Sequence, residues 1–167
     1  MTSSLHDTDL TIRDAGAADH AAIGAMNDAI QQAELDIVGY PMLTPDRLPP
    51  AYLADMLAVD LQRQSELLVC EAEGQVVGFL SGHRSEDDDG LVEAEFNTFA
   101  LVSDLFVDPE FRSRGVAQAL LAEFSERMRA KGFSWLRICA KAKNRKAIDA
   151  YLRFGFEPYE AVFVKPL

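Results

Sequence analysis

Three groups of residues in this chain have the types and spacing to do chemistry. The first is Arg112-Ser113-Arg114-Gly115-Val116-Ala117. It lies between an apolar run that ends at Val107 and a helical pattern that begins near Gly115. A helix N-terminus presents unpaired N–H groups and a partial positive charge, so it attracts anions. Gly115 lets the backbone come close to a ligand. The two guanidinium groups carry forked donors that match phosphate oxygens, and Ser113 adds a hydroxyl. The corner reads as a pyrophosphate cradle or as a solvated arginine-rich turn. No Gly-Lys-Ser/Thr follows it and no GxGxxG is present, so it is neither a Walker loop nor a dinucleotide fingerprint.

The second group is the stretch NRKAIDAYLRFGF, residues 144–156. Asn144 and Tyr151 are seven positions apart, which places them on one helix face, about 10 Å apart along the axis. A phenol so placed could donate a proton to a ligand that also meets Asn144. The other reading is a core tyrosine beside an ordinary helix cap. The third group is Asp104, inside the apolar run of residues 99–107. Regular alternation sets it on one face with Val102 and Phe106. A carboxylate among apolar neighbours is costly unless paired or bound. Desolvation pushes its pKa upward, which suits a general base. A structural partner of an arginine or of a backbone cap is the alternative.

These residues need a scaffold, and the hydrophobic periods outline one. Residues 10–15 read as a strand. A helix follows, with Ile23, Met26, Ile30 and Ala33 on one stripe. Pro41, Pro45, Pro49 and Pro50 then break the chain into an elbow, and a second helix resumes through Leu53, Met56, Leu57, Asp60 and Leu61. ELLVCEAEG and QVVGFLSGHR flank Gly74 as a hairpin, and SEDDDG is a solvated loop. Residues 99–107 are apolar enough for a strand buried on both faces. A helix from about Gly115 to Lys131 carries Ala117, Leu120, Leu121, Phe124 and Met128 on one stripe. FSWLRICAKA is expected as a strand, residues 144–154 as a helix capped by Asn144, and EPYEAVFVKPL as a closing strand. The order βααββ–βαβαβ indicates a mixed α/β sheet.

Composition sets the outer bounds. A chain of 167 residues, 49% hydrophobic, has room for one domain with a real core. No run reaches the roughly 18 apolar residues of a membrane span. MTSSLHDTDL has neither a basic nor an apolar signal region, so residues 1–8 are expected as a flexible lead-in to a single domain over residues 9–167. Cys70 and Cys139 lie in strand-like runs and read as reduced core thiols, and a cytoplasmic location follows. No Cys/His spacing suggests zinc. The net charge of −11 opposes nucleic-acid binding, which needs a basic face. It is compatible with a cationic substrate.

The motifs meet in one family. The chain resembles the GCN5-related N-acetyltransferase (GNAT) family. LVSDLFVDPEFRSRGVAQALL is similar to its strand-turn-helix signature, in which Arg/Gln-x-x-Gly-x-Gly/Ala holds the pyrophosphate of coenzyme A. NRKAIDAYLRFGF is similar to its second signature, matching at Asn144, Ala147, Tyr151, Gly155 and Phe156. The likeness runs over roughly residues 9–165, and one departure is Ala117, where many members carry glycine.

The resemblance implies a mixed, mostly antiparallel sheet with helices on both faces and a splayed central strand pair. It implies direct transfer from acetyl-coenzyme A to a primary amine, with no metal. The pyrophosphate would lie on Arg112, Ser113, Arg114, Gly115, Val116 and Ala117. The pantetheine arm would lie along Leu105, Phe106 and Val107, with Asn144 and Ala147 beside the cofactor. Tyr151 would be the general acid. Asp104 would be the base, with His83 as second candidate. The elbow would wall the acceptor site, where Glu34 and Asp36 suit a small cationic amine or polyamine. A peptide amine, at a protein N-terminus or a lysine, is the rival acceptor, and an aminoglycoside is a further one. Neither nucleic acid nor membrane is expected as a partner, and homodimers are common in the family. A coenzyme A-binding sensor without turnover and a plain nucleotide-phosphate module remain as other readings.

Overall fold

Five strands form one sheet in the order β1-β2-β3-β4-β5, in a computed structural model that describes residues 9–39, 42–49, 51–58 and 62–167. The expected lead-in, residues 1–8, lies outside the described residues. In chain order the elements are β1 (Thr11–Asp14), α1 (His20–Val38), α2 (Ala51–Leu57), β2 (Glu66–Ala72), β3 (Gln75–Glu86), β4 (Thr98–Val107), α3 (Val116–Ala130), β5 (Leu136–Ile138) and α4 (Arg145–Arg153). Strands β1 to β4 pair antiparallel, and β5 joins β4 in parallel. The mixed, mostly antiparallel sheet expected from the family resemblance is therefore present. Among the described residues no helix is long and apolar enough to cross a membrane.

Strand alternation sends side chains to two cores. Leu68, Cys70 and Ala72 of β2 pack with Leu120, Phe124 and Met128 of α3. Leu67 and Val69 of the same strand pack with Ile23 of α1 and Phe79 on the opposite face. The β2–β3 hairpin turns through Glu73 and Gly74, both at positive φ, 53° and 76°; this is the pattern that suits the twist of a two-residue connection. Gly82 is needed where α3 crosses β3. A Cβ there would stand 2.4 Å from Cζ of Phe124 and 2.6 Å from the Leu101 carbonyl oxygen. The start of α1 is set by buried Asp19. It accepts from Arg13 at 2.7 and 3.0 Å and from the Gly16 N–H at 2.7 Å. Arg13 first, and the Gly16 amide with it, hold the Asp19 carboxyl down at about 2 against the desolvation of burial.

Several expectations are corrected. Helix α1 runs on to Val38, past the point where the elbow was expected, because Ile37, four positions after Ala33, continues its apolar stripe and no proline comes before residue 41. Helix α2 ends at Leu57; Asp60 and Leu61 lie outside the described residues, and residues 62–64 form a turn. Strand β5 has only three residues. No strand forms over residues 157–167, whose backbone makes no hydrogen bond to the rest of the described chain. Cys70 is buried as expected, but Cys139 is exposed, because pairing of β5 stops at Ile138 and the next residue leaves the sheet.

Candidate active site

The parallel pairing of β5 with β4 covers only Ala100↔Leu136, Leu101↔Arg137 and Val102↔Ile138. Beyond Val102, β4 continues for five residues with no strand on that side. This divergence opens a cleft of about 1080 Å³. Residues 102–106 of β4 form its floor. One wall is the inner side of α1, with Met26, Ile30 and Glu34, together with Tyr52 of α2. The other wall is the chain leaving β5, Cys139 to Lys141, and the first two turns of α4. Asp108, Pro109 and Arg112 close one end.

At that end the chain enters α3. Asp108 accepts from the Glu110 N–H at 2.9 Å and Pro109 starts a short 3-10 turn, so the strand stops cleanly. Ser113 and Gly115 then take left-handed backbone angles, φ 63° and 85°. Gly115 is the N-cap of α3 and no side chain caps the helix. The first N–H groups of α3 are therefore left to solvent or a ligand. Arg112 lines the cleft, where its Nε donates to the Val107 carbonyl at 3.1 Å. Arg114 is turned elsewhere. Its guanidinium lies 4.8 Å from the centre of the Phe111 ring and 3.6 Å from a Glu73 carboxylate oxygen.

Helix α4 contributes its Asn144 and Tyr151 to the same cleft. The Asn144 side-chain oxygen accepts from the Ala147 N–H at 3.2 Å, so this residue caps the helix and lines the cleft at once. The Tyr151 ring packs at 6.0 Å from that of Phe156. Burial, reinforced by Glu34 and Cys139, pushes its phenol up to about 12. It carries its proton at neutral pH.

Asp104 also lines the cleft, on the face of Phe106 as expected but not on that of Val102. The β3–β4 register pairs Ser81 with Asp104 and Gly82 with Val102, so Ser103 is an extra residue on β4. This bulge reverses the alternation. Val102 points into the core under α3, whereas Phe106 packs toward α1. Asp104 is a partly buried neighbour of the α1 wall, not a companion of Val102. Its pKa is raised by burial and partly restored by Ser81, whose hydroxyl donates to Oδ2 at 2.8 Å. His83 is differently placed. The guanidinium of Arg63 donates to its Nε2, so its proton sits on Nδ1, which donates to the Ser103 hydroxyl at 3.1 Å. Burial and Arg63 lower its pKa. The lone pair that a base would use is already occupied.

Of the expected acceptor residues, Glu34 lines the cleft, while Asp36 is exposed and accepts from Gln32 at 2.8 Å. Two positions apart on a helix, they cannot share a face. Sequence reasoning passed over Tyr52, whose hydroxyl accepts from Gln31 at 3.1 Å. Its pKa is raised by burial and by the charges of Asp104 and Glu34. It also passed over Ser81, the partner of Asp104. No local pattern marks either residue. The cleft carries both signs of charge: Arg112 and Lys141 line it along with Asp108, and Glu34 and Asp104 line it within reach of Tyr52.

A model of the Acetyltransferase (GNAT) family matches residues 28–156. Over 94 residues the chain is 34% identical to a Methanocaldococcus jannaschii protein named uncharacterized N-acetyltransferase MJ1207. That match takes in 56% of this chain but only 40% of the relative's length. Among solved structures, a mutant of the BH1408 protein from Bacillus halodurans superposes with a TM-score of 0.81 at 17% identity, over 94% of this chain and 99% of the other. AAC(6')-Iy in complex with the bisubstrate analog CoA-S-monomethyl-acetylneamine superposes with a TM-score of 0.69 at 20% identity, over 96% and 99%. At such identities the likeness to the two structures is one of fold.

Proposed function

As the chain belongs to the acetyltransferase (GNAT) family, we propose that it transfers an acetyl group from acetyl-coenzyme A directly to a primary amine of a small cationic molecule such as a polyamine. One observation carries the reading: Arg112, Asn144, Tyr151 and Asp104, from three separate stretches of sequence, line one cleft. Acetyl-coenzyme A, when bound, supplies an activated thioester.

The chain's own groups fit it. The uncapped start of α3 with the turn before it, residues 113–117, and Arg112 suit a pyrophosphate. Arg114 joins them once it leaves Glu73. The backbone of Leu105, Phe106 and Val107 has no strand beside it on the β5 side, so it can pair with the amides of an extended arm. Asn144 and Ala147 border that arm. A backbone N–H near Phe106 and Val107 stabilises the charge that develops on the thioester oxygen. Asp104, made more basic by burial, takes a proton from the amine. Tyr151, still protonated, gives one to the departing sulfur. Glu34 and Asp104, whose charges both reach Tyr52 in the cleft, favour a cationic acceptor.

The test is release of the coenzyme A thiol from acetyl-coenzyme A by the purified protein. The panel holds a polyamine, an aminoglycoside, a lysine peptide and a peptide with a free N-terminus. Small polycations are expected to turn over fastest. Turnover restricted to the peptides would overturn the acceptor class. Tight coenzyme A binding with no release for any amine would make the protein a sensor. Equal affinity for ATP and coenzyme A would reduce the corner to a general nucleotide-phosphate site.

A further inference from the structure

A regular strand sends consecutive side chains to opposite faces, yet Ser103 and Asp104 both line the cleft. The bulge in β4 is the cause. The register steps from Gly82↔Val102 to Ser81↔Asp104 and leaves Ser103 as the extra residue. Each of the two side chains is then held from β3. Ser81 donates to Asp104 at 2.8 Å, and His83 Nδ1 donates to the Ser103 hydroxyl at 3.1 Å. Ser81 and His83, two positions apart on one strand, share a face. The mechanism proposed above uses Asp104 and gives no role to Ser103, His83 or Arg63.

The chain behind Ser103 has a direction. A guanidinium carries only donors, so His83 Nε2 accepts from Arg63. The neutral ring then bears its proton on Nδ1 and can only donate to Ser103. Burial first, then the Arg63 charge, keeps the ring neutral. Arg63 is itself tied to β3, because its carbonyl accepts from the Arg84 N–H at 2.8 Å, one residue from His83. One lone pair of the Ser103 oxygen is thereby filled. Its other lone pair has no partner among the described residues, and Ser103 is exposed where it lines the cleft.

A primary amine that has given up its extra proton keeps two N–H donors and one lone pair. Attack on a thioester needs that lone pair aimed at the carbonyl carbon. A single carboxylate can take the proton, but it leaves the nitrogen free to turn. A second acceptor on the next residue holds one N–H and so fixes the direction of the lone pair. The bulge supplies that pair of acceptors: a carboxylate at 104 and a hydroxyl oxygen at 103.

We infer, resting on the amine acetylation proposed above, that Ser103 accepts a hydrogen bond from the acceptor nitrogen and orients it for attack, and that His83 and Arg63 are positioning residues that act through Ser103. No proton travels along the three side chains. Asp104 stays the base.

The experiment pairs thiol release from acetyl-coenzyme A and spermidine with calorimetric titration of spermidine into the full chain. Ser103→Ala is expected to lower kcat/KM for spermidine about 3- to 10-fold, the scale of one neutral hydrogen bond. KM for acetyl-coenzyme A and the thermal midpoint should not move, since Ser103 is exposed. His83→Leu should lose a similar factor. His83→Asn, whose side-chain amide keeps a donor near the position of Nδ1, should recover most of it. Ser103→Ala should add little to His83→Leu, because both remove the same interaction. Spermidine affinity should follow the same order. Losses that add in the double variant, or an Asn variant as poor as the Leu variant, would overturn the inference. If no amine is turned over, the proposed activity fails, and the titrations still decide the role of Ser103: the expected order of affinities supports it as an amine ligand, whereas equal affinities, or no binding to the parent, overturn it.

Discussion

Changing Tyr151 to Phe removes one hydroxyl and keeps the ring that packs against Phe156, so it isolates proton donation from cofactor binding. On the proposed reading, kcat falls about 10²–10⁴-fold, equivalent to about 2.7–5.4 kcal/mol of barrier. KM for acetyl-coenzyme A should stay nearly constant. The structure adds a condition on pH. Burial first, then the nearby Glu34 and Cys139, raise the phenol from an ordinary 10 to about 12. At pH 10 an ordinary phenol is half ionised, whereas one at about 12 is only about 1% ionised. The parent enzyme should therefore keep its acid through pH 10, and kcat should show no alkaline fall from this group. The assay is thiol release at saturating amine and acetyl-coenzyme A between pH 7 and pH 10.5, for both proteins. Full turnover in Tyr151→Phe would mean that water protonates the sulfur. An alkaline fall near pH 10 that vanishes in the variant would refute the argument from burial.

Further outcomes follow from the same structure. Asp104→Asn keeps the hydrogen bond from Ser81 but removes the base, so the acid limb of kcat/KM should disappear with much of the rate; a limb that persists and tracks the amine pKa of two different acceptors would remove Asp104 from the mechanism. Because burial raises the Asp104 pKa above its unfolded value, the native state loses stability as pH rises through that interval, and Asp104→Asn should melt higher than the parent at pH 8. Arg112→Ala should raise KM for acetyl-coenzyme A about 10- to 150-fold with kcat unchanged, the equivalent of about 1.5–3 kcal/mol for a charge-assisted bond; Arg114→Ala should do less, since Arg114 is engaged with Glu73 and Phe111. Gly82→Ala should destabilise by about 1–3 kcal/mol or more, read as a lower thermal midpoint, because the added methyl meets buried Phe124 and a backbone carbonyl.

What could be read from the sequence, and what could not, divides along a physical line. A helix is closed within its own residues, so the seven-residue spacing of Asn144 and Tyr151 was enough to place both on one face of α4, and the structure brings both to the cleft. The turn at Gly74 is similarly local. A strand is defined by what lies beside it. The face of Asp104 depended on a bulge at Ser103, and that bulge exists only in the pairing of β4 with β3. Ser81 could not be recognised as the partner of Asp104 without that register. The same dependence explains why Cys139 was expected in a core. Its neighbours Ile138 and Ala140 are apolar, but the ladder that would have buried it ends one residue earlier.

The early end of that ladder is also what makes the site. Had β5 followed β4 over its full length, the backbone of Leu105, Phe106 and Val107 would be spent on strand pairing, and no cleft would separate Asp104 from Tyr151. A strand sequence that stops pairing after three residues therefore releases β4 to face a ligand, and the chain that leaves it, through Cys139 and Lys141, becomes the wall of the cleft across from α1.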